Sequence, residues 1–93
     1  MNEKNPLAIP RQKIDAIDTQ IIALLEERMT AVAEVVRIKK EEEMAILDTG
    51  REEAVLENVR KSVENQKYAD TIVATFKDIM RQSRHYQNQQ LED

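Results

Sequence analysis

Residues 24–40, LLEERMTAVAEVVRIKK, read as uninterrupted helix, yet they put an arginine, Arg28, where the apolar stripe calls for a leucine or valine. Backward from it the stripe runs through Leu24, Ile21, Ile17 and Ile14, and forward through Ala31, Val35 and Ile38. Alternating steps of three and four make a heptad seam with one violation. Asn5 before Pro6 supplies an N-cap and first-turn pair, so a first helix is predicted from Pro6 or Pro10 to about Glu43. Pro10 lacks an amide, and a helix opening at Pro6 would carry an irregular first turn there.

The chain's one glycine, Gly50 in LDTGREEAVL, marks a break before a second helix running from about Thr49 to Gln66. Its stripe is Glu52, Val55, Leu56, Val59 and Val63. A third helix, about Asp70 to Gln89, carries Ile72, Val73, Phe76, Ile79 and Met80, and its row continues into Ser83 and Gln87. The Gln-rich end, YQNQQLED, is expected to fray. With one glycine, two prolines and few aromatics, the composition is all-helical.

At 93 residues the chain bounds a single domain, 1–93. Without cysteine it has neither disulfides nor thiol chemistry, which fits a reducing compartment. There is no apolar run of membrane-spanning length and no signal-peptide core, so a cytoplasmic protein is expected, with no membrane partner. A net charge of -4, with acids interleaved among the bases, argues against nucleic acid as a partner.

A first helix of about 34 to 38 residues spans on the order of 50 to 57 Å. The two shorter helices cannot cover such a seam within one chain, and a bare seam is a large exposed patch. Two first helices packed antiparallel, with the shorter ones folded around them, bury every stripe in a symmetric homodimer.

Buried charge requires a partner, so the polar members of the stripes form a set. Arg28 and Lys39 are eleven residues apart, differ in direction by about 20° and lie about 16 Å apart along a helix. Together with Glu52, Ser83 and Gln87 they describe a cavity with a surplus of donors, suited to a small oxygen-bearing anion. Asp48, Arg51 and Glu52 share a face at i, i+3 and i+4, and Glu52 is available to balance Arg28 or Lys39. Each residue also has a plainer reading. Arg28 fits a residue that fixes register, and Lys39 fits a solvated face. Thr49 with Glu52 fits a capping box, Asp48 a turn, Ser83 and Gln87 a helix leaving the core, and His85 the surface. It is their joint placement on the stripes of three helices that favours a site. No Ser/His/Asp arrangement, glycine-rich phosphate loop or paired-carboxylate motif is visible.

These residues carry a resemblance over nearly the whole length. The chain resembles the AroQ-class, all-helical chorismate mutases through NPL, Arg11 with IDAID, LLEER ending at Arg28, Lys39, DTGRE with Asp48, Arg51 and Glu52, and SRHYQ with Ser83 and Gln87. Arg84, beside Ser83, stands where the family pattern is usually apolar.

The resemblance implies an intertwined homodimer of three-helix chains that converts chorismate to prephenate without a cofactor. It implies that Arg28, and Arg11 from the other chain, hold the two carboxylates, with help from Ser83. Lys39 and Gln87 would donate to the ether oxygen, Glu52 with Asp48 would receive the ring hydroxyl, and Arg51 would organise the acids. Helix arithmetic agrees on Arg11, which lies about 25 Å from Arg28 and points about 100° away on the same helix. Two rival readings remain at this stage, an isochorismate-pyruvate lyase on the same scaffold and a non-catalytic helical dimerisation module.

Overall fold

The computed structural model describes residues 5–91, and every regular element among them is helical. Helix α1 spans Ala8–Glu41, α2 spans Thr49–Ser62 and α3 spans Ala69–Leu91, with one 3-10 turn, Gln66–Tyr68, leading into α3. None of the described helices is long and apolar enough to cross a membrane. The chain divides into two compact units, the first ending at Ala31 and the second beginning at Val32.

In the first unit the chain enters α1 through Asn5, whose side chain accepts from the Leu7 amide at 2.9 Å while its carbonyl accepts from Ala8 at 3.1 Å. Asn5 thus does the capping work expected of it, and regular helix starts at Ala8. Pro10 is then the third helical residue, where an amide has no intrahelical acceptor to lose, and the helix continues past it. Ile14, Ile17, Ile21 and Leu24 are 54, 52, 44 and 63% exposed, so none of the described residues covers that part of the seam.

The second unit has its interior at Val32 and Val36 of α1, Val59 of α2, and Ala69, Val73 and Met80 of α3. The expected stripe placed Val35 and Ile38 inward, but both lie about two-fifths exposed (42 and 41%), and the neighbouring row is the buried one. Lys39 continues that buried row at i, i+4 and i+7, and its contact with Gln87 on α3 fixes which side of α1 faces inward. The stripes expected for α2 and α3 do turn inward, with Val59, Val73, Met80, Ser83 and Gln87 buried and the others half-buried.

Helix α1 ends in a Schellman motif. The Met44 amide reaches back to the Lys39 carbonyl (2.8 Å), the Glu43 amide to Lys40 (3.4 Å), and Glu43 takes a left-handed φ of 52°. This is where the chain breaks. Gly50, expected at the break, lies inside the first turn of α2 with no positive φ. Helix α2 stops at Ser62, short of the expected Gln66, and the Gln66 side chain caps its end by donating to the carbonyls of Arg60 (3.0 Å) and Val63 (2.6 Å). Helix α3 runs through the Gln-rich stretch to Leu91, and the last two residues of that stretch lie outside the described ones.

Candidate functional site

Lys39 is tied to the loop twice. Its carbonyl receives the Met44 amide, and its Nζ donates to the Ile46 carbonyl at 2.7 Å. From that fixed position Nζ also meets Gln87 Oε1 at 3.3 Å. An ammonium has three donors, so a third remains for a ligand, and an amide engaged through its oxygen keeps its NH2 as a donor. Gln87 and Ser83 are each 7% exposed, the buried polar pair of α3 among the described residues, and they follow Met80 in the row that the spacing predicted. Ser83 Oγ donates to the Ile79 carbonyl one turn earlier (3.0 Å).

Asp48 sits at the N-cap of α2, where its Oδ1 accepts the Arg51 amide at 3.0 Å. The cap is therefore Asp48 and not Thr49, which is the first helical residue. Arg51 shares this turn and keeps an exposed side chain. Glu52, in the same first turn, is half-buried at 23% side-chain exposure, and there the helix dipole favours its charge. The cation the structure gives it is Arg84 of α3, whose Nε lies 2.9 Å from Glu52 Oε2. That nitrogen is buried and makes no hydrogen bond among the described residues, so the pair is held by charge with the N–H turned off the contact line. Sequence reasoning did not nominate Arg84 as a partner. Its position next to Ser83, within a turn of Gln87, was the available signal.

The second unit thus gathers Lys39, Glu52, Ser83, Arg84 and Gln87, with Asp48 and Arg51 at the start of α2. Arg11 and Arg28 belong to the first unit, Arg11 exposed and Arg28 half-buried. An open depression on α1, lined by Ile22, Leu25, Glu26, Met29 and Thr30, contains none of these residues. Chemically, the second unit offers fixed donors, an ammonium beside a carboxamide, and a carboxylate able to accept. Such a set stabilises developing charge on oxygen without forming a covalent intermediate.

Known proteins give the arrangement its context. A bifunctional chorismate mutase/prephenate dehydratase of Enterobacter agglomerans is 42% identical over 59 residues, covering 63% of this chain and 15% of that protein. A chorismate mutase of Methanocaldococcus jannaschii is 31% identical over 88 residues, covering 94% of this chain and 89% of that one. No solved structure gives a significant match. The model of the chorismate mutase type II family matches residues 10–88, nearly the full length of the three helices, and the chain belongs to that family.

Proposed function

We propose that this protein is a chorismate mutase that converts chorismate to prephenate for phenylalanine and tyrosine biosynthesis. The observation that carries the reading is the contact of Lys39 Nζ with the buried Gln87 amide, 3.3 Å apart, in a member of this family. The rearrangement is intramolecular, and it asks for shape and field in place of a nucleophile or cofactor. Guanidinium forks from Arg11 and Arg28, with Ser83 assisting, grip the two carboxylates and hold the enolpyruvyl arm over the ring. As the carbon–oxygen bond breaks, charge grows on the ether oxygen, where Lys39 and the Gln87 NH2 donate to it; one such donor is worth about 3 kcal/mol of barrier. Glu52 and Asp48 accept the ring hydroxyl, and Arg51 orders the acids.

In this reading the whole chain serves as one domain of a homodimer working in the cytoplasm. Antiparallel pairing of α1 helices covers Ile14, Ile17, Ile21 and Leu24, which one chain leaves exposed, and delivers Arg11 from the second copy. Feeding purified protein chorismate and, separately, isochorismate tests the assignment. Prephenate from the first supports it; salicylate and pyruvate from the second, with no prephenate, identify the lyase instead.

A further inference from the structure

Arg84 has no place in the roles just given. It stands on α3 between Ser83 and Gln87, its Nε lies 2.9 Å from Glu52 Oε2, and its side chain is 35% exposed against 23% for Glu52. A pair this open contributes little to stability, because water screens the attraction and two long side chains lose freedom in forming it. Nor does the contact satisfy the guanidinium, since Nε is buried without a hydrogen bond. A stabilising role alone therefore does not account for an arginine at this place on α3.

The contact does act on Glu52. A carboxylate offers about four lone-pair sites, and one guanidinium nitrogen against one oxygen leaves capacity for a hydroxyl. It also fixes the rotamer of a flexible side chain that has no other ion pair among the described residues. Gln87, three residues along the same helix, meets Lys39, so α3 holds the accepting and donating groups through two adjacent side chains. We propose that Arg84 is a positioning residue of the reaction, aiming the Glu52 carboxylate at the substrate's ring hydroxyl from α3. The inference rests on the mutase reading above, and it requires Arg84 to act through Glu52 and not on the substrate directly.

The test compares kcat and KM for chorismate in the full chain and in the variants Arg84→Met, Arg84→Lys, Glu52→Gln and the double variant, with thermal unfolding of each. Arg84→Met is expected to lower kcat/KM by about 10- to 100-fold, mostly in kcat, as misplacement of a reacting-site group does. Arg84→Lys, which restores the charge, should recover several-fold of that loss. In the Glu52→Gln background Arg84→Met should change the rate by less than about twofold, since the group it positions is gone. Losses that multiply across the double variant, or an Arg84→Met enzyme with unaltered kcat, overturn the proposal. So does a rate loss that only follows a fall in unfolding temperature. If the unaltered chain leaves chorismate intact, the mutase reading falls and this inference with it; turnover without coupling removes the role of Arg84 alone.

Discussion

Lys39 Nζ and Gln87 Oε1 meet at 3.3 Å across 48 positions of sequence, joining the last turns of α1 to the far end of α3. Gln87 thereby presents its oxygen to a cation and keeps its nitrogen as the donor end, an arrangement that an ionised carboxylate cannot supply. A glutamate in its place would accept from Lys39 equally well but, when ionised, would donate to nothing.

Gln87→Glu is therefore expected to lose about 100-fold or more of kcat/KM at neutral pH, the cost of one missing donor to a developing oxyanion. The donating form is the protonated one. Activity should then rise as pH falls toward the ordinary carboxyl range, about 4 to 5, and disappear as pH rises through it. The unaltered enzyme takes no such slope from Gln87, which does not titrate. Matching pH profiles of kcat/KM for the two proteins would remove Gln87 from the ether oxygen.

Asp48 holds two candidate roles, helix cap and hydroxyl acceptor, and two substitutions separate them. Asparagine caps as well as aspartate, so Asp48→Asn should keep the unfolding temperature, whereas Asp48→Ala should lose about 1 kcal/mol. Asparagine, however, puts an NH2 where the second carboxylate oxygen was, a donor facing a hydroxyl that needs an acceptor. Asp48→Asn should cut kcat/KM by about tenfold. Unchanged turnover in Asp48→Asn would leave Asp48 a cap and nothing more.

What could be read in advance divides along physical lines. The rows of α2 and α3, down to Ser83 and Gln87, were legible because each helix has one apolar side and period alone identifies it. The end of α1 was legible to within two residues, about Glu43 against Glu41, but the geometry that closes it was not. A left-handed residue closes it, and without glycine at that position Glu43 gives no sign of its conformation. Around Val32–Ile38 two adjacent apolar rows compete, and the contact of Lys39 with α3, a tertiary event, decides between them. The Glu52–Arg84 pair was hidden for the same reason, because it depends on how α2 meets α3 and not on spacing within either.

Arg28 separates an enzyme from a dimerisation module. On either reading Arg28→Leu completes the apolar seam, and the unfolding temperature should stay level or rise as a half-buried cation gives way to a hydrophobe. Only the mutase loses something else. Chorismate turnover should fall to near background, with a matching loss of affinity for a bicyclic transition-state mimic measured by titration. Full turnover in Arg28→Leu would exclude Arg28 from carboxylate binding.

Arg11 and Arg28 offer a test of the dimer that needs no structure. Arg11→Ala and Arg28→Ala chains should each be nearly inactive alone. If each site takes Arg28 from one chain and Arg11 from the other, unfolding the two together and refolding them as a mixture produces hybrids in which one site keeps both arginines. Random pairing makes half the dimers hybrid, so about a quarter of all sites should regain activity. Sites assembled within single chains would regain none, because every chain in the mixture lacks one arginine. Exposed Ile17 and Ile21 supply the control: Asp at both should leave a 10.8 kDa monomer by sedimentation and abolish the rescue. A mixture that stays inactive while sedimenting as a dimer would overturn the crossed arrangement and leave the dimer standing.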